Sequence, residues 1–183
     1  MAVCSTVMPV ASADLCAPNT HYGQISMLMF TRNGDGLTDV TDDTEWATRI
    51  DNASTGITAL PVSGDADIRQ LFGIGSLTAP DRPEVEISRK RKVYGEPDFT
   101  LTFAVDDTSD TNWNNFMGGL PTGGQVYSVW FGTEDRIFGG NDGITATVIA
   151  NPEIPESAEE LQKIILTVTW KGTIPEVADN PLT

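Results

Sequence analysis

His21 is the only histidine and Cys4 and Cys16 are the only cysteines, so a nucleophile–base pair or a soft metal site must draw on these three. A zinc site needs four ligands at characteristic spacings. Here the spacing fits no common pattern, and a fourth ligand would have to be Asp14. No nucleophile elbow of the G-x-S-x-G kind occurs in the chain. The trio therefore reads as an ordinary polar histidine and two cysteines, either free and partly buried or joined in a short-loop disulfide.

A harder cation has a better case at Asn33-Gly34-Asp35-Gly36, followed by Asp39 and Asp42. Calcium loops place oxygen ligands at positions 1, 3, 5 and 12 with glycine at 6. With Asn33 at position 3, Asp35, Gly36, Asp39 and Asp42 fall at 5, 6, 9 and 12, but position 1 is Thr31. The other reading is a turn held by Asx hydrogen bonds. Carboxylate pairs (Asp42/Asp43, Asp106/Asp107, Glu134/Asp135, Glu159/Glu160) fall in expected turns and caps, and none is singled out as the opposed pair of a glycosidase. Of four tryptophans, Trp46, Trp113 and Trp170 fall in phase with core positions, leaving Trp130 ambiguous as part of a sugar-stacking surface. No catalytic activity and no cofactor are expected.

Charge is more informative. Four of the 11 basic residues are consecutive, Arg89, Lys90, Arg91 and Lys92, and the formal net charge is −15. The rest of the chain sets 26 acids against seven bases. Such a body repels nucleic acid and anionic membrane. The run could serve as a nucleic-acid patch, but strand alternation would split it between two faces. A contact with acids of a neighbouring subunit, or an ion-pair role at a hairpin tip, fits better.

These groups need a scaffold. A chain of 183 residues, 39% hydrophobic and 20% charged, supports one domain with a core. Its 17 glycines and 11 prolines, with abundant threonine and valine, indicate short strands and tight turns. No apolar run approaches the ~20 residues that span a bilayer. The first 22 residues lack the basic start of an export signal and are expected to form an arm packing on a neighbour. Residues 23–173 form the domain, and 174–183 an acidic flexible tail.

Within the domain, residues 23–31 form a strand apolar on both faces, through Met27 and Met29 on one and Leu28 and Phe30 on the other. A short helix follows, capped by Asp43 or Thr44, with Trp46 and Ile50 on one face. Residues 55–62 are a strand candidate. Residues 63–83 read as a long loop anchored by Ile68, Leu71, Phe72 and Ile74, with Leu71 and Phe72 as assembly contacts. The run from Glu84 and the run from Phe99 to Val105 form a hairpin around a turn at 94–98. A helix spans 106–120, and further strands cover 126–132, 136–138, 144–150 and 163–170. The architecture is mainly β: an antiparallel sandwich or barrel with one packed α-helix, an extended arm and a loop, its sheet margins completed by sister copies.

The order EISRKRKVYG, FTLTFAVD, SDTNWNNFMGG, VYSVWFGTEDRIFGG, ITATVIANPEIPES and KIILTVTWKGTI resembles the tail-tube proteins of tailed bacteriophages and related secretion-tube subunits. The resemblance covers about half the chain, 84–173, and is one of element order. It implies a virion structural protein, made in the host cytoplasm, that forms six-membered rings stacked through loops and arms. Six copies at −15 would give −90 per ring, a channel through which DNA slides without adhering. Partners would be sister copies and other virion proteins, with no membrane. The alternatives are a secreted adhesin or carbohydrate-binding sandwich, or a neck-ring or capsid-decoration protein.

Overall fold

The computed structural model describes residues 23–54, 68–87, 91–118, 120, 125–157, 159–172 and 175–182. The arm with Cys4, Cys16 and His21, the strand candidate at 55–62, and Arg89 and Lys90 lie outside these residues.

Threonine–apolar alternation produces the sheet as expected. In β5 (Asp98–Val105) the residues Phe99, Leu101, Phe103 and Val105 are buried and the intervening ones are not. The same period holds in β8 (Ile144–Glu153) and β9 (Lys163–Lys171). Together with β1 (Ile25–Arg32), β2 (Arg69–Asp81) and β6 (Gln125–Gly132), these strands pair antiparallel in the order β1-β2-β5-β9-β8-β6. β6 pairs back onto β1 from Met27↔Gly132 to Arg32↔Tyr127, closing a six-stranded barrel. Closure is therefore achieved within one chain, and the ring has no margin left for a sister copy to complete. That corrects the expectation that sister copies complete the sheet's margins.

The interior is filled from all six strands, including Leu28, Phe30, Phe103, Phe131, Leu166 and Trp170. Phe99 stacks on Trp170 at 5.1 Å. One mouth is covered by residues following β5, where Trp113, Met117 and Leu120 pack on the core. A helix was expected there, but the regular part is shorter (Thr111–Met117) and π-helical.

A second cluster lies outside the barrel. The opposite side chains of β1, Met27 and Met29, join Trp130 of β6 and Ile137 of β7 (Arg136–Phe138) beneath Trp46 of α1 (Asp43–Ser54). Trp46 and Trp130 meet edge-on at 5.5 Å, and each indole N–H donates to a backbone carbonyl, Val40 and Gly140 respectively. Trp130 is thus core, and β1 is buried on two sides as its pattern required.

Two further expectations are overturned. The 63–83 segment is not a loop over its second part: residues 69–81 form β2, paired with β1 and β5. The C-terminal tail contains β10 (Val177–Asp179), which pairs with β7, while Asn180 Nδ2 donates to the Thr133 carbonyl at 2.8 Å. Leu182 packs on the outer cluster.

Gly75 explains how β2 fits. A Cβ there would sit 2.8 Å from both Ile25 Cγ2 and Phe103 Cδ2, inside van der Waals contact, so glycine clears space for the Phe103 ring. Gly75→Ala is expected to destabilise the fold by about 1–3 kcal/mol through overpacking. Urea unfolding should show a lowered midpoint with an unchanged slope; an unchanged midpoint would mean that the strand yields freely.

Candidate functional surfaces

The basic cluster is carried on a ribbon. After β2, the chain forms β3 (Glu84–Ile87) and returns as β4 (Arg91–Tyr94), paired from Glu84↔Tyr94 to Ile87↔Arg91. Residues 88–90, outside the described residues, connect these strands in sequence, so the hairpin is not closed at 94–98. The two runs expected to pair with each other do not; β5 pairs with β2 and β9 instead. Because β2 pairs with β5 as far as Asp81↔Asp98, the span 69–105 is one long hairpin interrupted near Pro83 and Gly95. The Gly95 N–H donates to the Pro83 carbonyl at 2.8 Å across that break.

This ribbon forms a sheet of its own, two strands wide. Val93 and Tyr94 on it are 50% and 57% exposed. Glu86 lies opposite Lys92 in register. Arg91 and Lys92 are brought to β4 beside these apolar residues. Leu71 is not: it lies opposite Leu28 and packs, partly buried, against the barrel core. Phe72, its neighbour, is 62% exposed.

A second surface was not expected from single segments. Outward residues of β2, β5, β9 and β8 align in cross-strand rows: Thr78, Thr100, Thr169 and Thr147; Ser76, Thr102, Thr167 and Ile149; Ile74, Ala104, Ile165 and Asn151. None of these twelve is buried and none is charged. A shallow groove of about 450 Å³ lies at the first row, lined by Thr100, Thr147 and Thr169 among others. Charges stand at the strand ends, beyond the first and last rows, in opposed pairs. Lys171 Nζ lies 3.2 Å from Asp98 Oδ1, and Glu153 is opposite Lys163 in register. The signal was the T-x-T spacing repeated at 100/102, 145/147 and 167/169, whose alignment requires the register.

The loop with calcium-like spacing spends its polar groups locally. Asp39 Oδ1 accepts from the Thr41 N–H at 2.9 Å and the Thr41 hydroxyl at 2.7 Å. Asp42 Oδ1 accepts from the N–H groups of Thr44 and Glu45, making Asp42 the cap of α1 rather than Asp43 or Thr44. Among the described residues, no three His, Cys, Asp or Glu side chains are grouped to hold a metal ion. Arg49, almost fully buried, donates to the carbonyls of Gly36 and Asp35, both at 2.7 Å, with Glu45 3.8 Å away. The hydrogen bonds from Thr41, backbone first and then hydroxyl, hold the Asp39 carboxyl below its ordinary value.

Three tryptophans are buried and Trp113 is half-buried, so they form no open sugar platform. Among the described residues, no helix is long and apolar enough to cross a membrane. No protein-family model, curated protein or solved structure matches the chain.

Two outcomes check the loop. Arg49→Ala strands two carbonyls and is expected to lower stability by roughly 2–4 kcal/mol in urea unfolding. A depressed Asp39 pKa adds stability above the unfolded-state value that fades as pH falls through the folded-state value. NMR titration should therefore place the Asp39 midpoint below 3.8, and Thr41→Val should move it part of the way back; a midpoint unmoved by that change would contradict the hydroxyl's role.

Proposed function

We propose that this chain is a virion structural protein of tail-tube type, a subunit whose copies form stacked rings around an acidic channel for DNA. One observation carries the reading: the chain's concentrated basic run lies in sequence at a two-stranded ribbon, a sheet separate from the barrel, on a body of opposite sign. A ribbon of this width is marginal alone and gains stability by lying on something else. Its bases meet repulsion from cations and attraction from acids, and this chain's own body is the richest acidic surface available to it in a homopolymer. The contact is heterologous, joining different patches of the two copies, and such contacts build rings or filaments.

The uncharged face of β2, β5, β9 and β8 supports the same reading. Copies at −15 repel one another wherever acids face acids, and this face allows approach without that cost. An acidic channel wall leaves phosphate unbound and mobile. The adhesin alternative has no open tryptophan platform to support it.

Negative-stain microscopy of the purified protein should show rings or tubes, and dispersed particles at high concentration would remove the reading. Neutralising Arg89 and Arg91 together (Arg89→Ala with Arg91→Ala) is expected to abolish polymerisation while circular dichroism shows a folded monomer. Normal tubes from that double variant would take the basic run out of the assembly contact.

A further inference from the structure

The end of the barrel opposite the ribbon carries a small apolar groove. The connection between β8 and β9 exposes Ile154 at 64% and Leu161 at 71%. Leu161 lines a groove of about 300 Å³ with Pro155, Glu153, Glu160 and Lys163. Exposed apolar side chains of this size beside a groove mark an interaction surface. Lys163 is the one base of the connection's β9 end, set against Glu153, Glu156, Glu159 and Glu160. Asp106 and Asp107 stand at the same end, because Val105 is opposite Ile164 and Glu153 is opposite Lys163.

We propose that this groove receives the β3–β4 ribbon of a second copy. The inference rests on the assembly reading and names the surface that the ribbon meets. Chemistry selects the occupant on two counts. Exposed Tyr94 of the ribbon matches Leu161 of the groove with Ile154 nearby, and the basic run carried in sequence between and along the ribbon strands matches the acids beside the groove. Topology excludes the chain's own ribbon. It leaves from the Asp98 end of β5, whereas the groove lies beyond the Val105 end, about 25 Å away along the strand. The ribbon continues the β2–β5 hairpin in the direction away from the groove. Donor and acceptor thus occupy opposite ends of one molecule. Repetition of the contact adds copies head to tail along the strand direction.

Sedimentation velocity and negative-stain microscopy on the full chain test this, with circular dichroism as the folding control. Glu159→Lys with Glu160→Lys is expected to raise the concentration needed for assembly at least about tenfold, and Arg91→Glu with Lys92→Glu to abolish assembly. The four changes in one chain re-pair the charges in reverse and should recover most of that loss. A second measurement does not rely on charge. With Cys4 and Cys16 replaced by serine, Tyr94→Cys with Leu161→Cys should give a ladder of disulfide-linked oligomers on oxidation. Tubes that form equally well from the Glu159/Glu160 variant, with no ladder from the cysteine pair, overturn this contact and leave the tube reading intact. A parent chain that stays a single particle at every concentration overturns both.

Discussion

β1 is the strand on which the rest of the molecule depends, because it is wall to two cores at once. Its pairing with β6 closes the barrel, and its two faces belong to different clusters, Leu28 and Phe30 inside, Met27 and Met29 outside. A strand with one apolar face has its register set by which face must be dry. β1 lacks that cue, since a one-residue slip would exchange apolar for apolar. Shape supplies it instead. The register irregularity between Ile25 and Met27 and the edge-on contact of Trp46 with Trp130 are compatible with one alignment. The outer cluster thereby fixes α1, β7 and the C-terminal β10, so elements far apart in sequence share one dependence.

Closure changes what assembly can use. In an open sheet the spare backbone groups at the edges recruit the next copy. Here each of the six ring strands is paired with both of its neighbours in the ring, β6 with β7 as well, and the unpaired edges among the described residues belong to the ribbon and to β10. On the proposed reading, contacts between copies are then made by side chains on faces and by the ribbon. This suits a particle that must fold before it assembles, since no ring strand waits for a neighbour to satisfy it. The ribbon is the exception, paired only within itself, from Glu84↔Tyr94 to Ile87↔Arg91.

Much of this was legible from residue order. The alternation of β5, β8 and β9 and the Trp46/Ile50 face of α1 are local patterns, and the structure reproduces them. β2 was not legible, because Gly73, Gly75 and Pro80 are loop-forming residues by propensity. Within the barrel the glycines serve a packing purpose, leaving room for Phe103, and Pro80 sits in the irregular pairing between Thr78 and Asp81. The 94–98 segment misleads for a related reason: Gly95 and Pro97 signal a turn, yet they mark the joint between barrel and ribbon. β10 hid among acids and prolines because its stabilisation comes from β7 and from Asn180, not from its own residues. The groove at Leu161 and the threonine rows exist only once the register has made neighbours of distant segments.

The electrostatics of the whole chain explain why these surfaces matter. Removing the basic run leaves 26 acids against seven bases, so two bodies approaching at random meet repulsion within a Debye length of about 8 Å. Contact is then restricted to places that carry no charge or carry the opposite one. Among the described residues, the threonine rows are the first kind and the ribbon the second. Their directions differ: the rows face outward, perpendicular to the strands, while the ribbon extends along them. On the proposed reading, one direction serves neighbours side by side and the other neighbours end to end, the two contacts a stacked ring requires. The same acids that forbid other contacts would also keep phosphate from adhering to the wall. On the proposed reading, a single imbalance of charge thus does both jobs, selecting how copies meet and keeping the channel they enclose free of bound DNA.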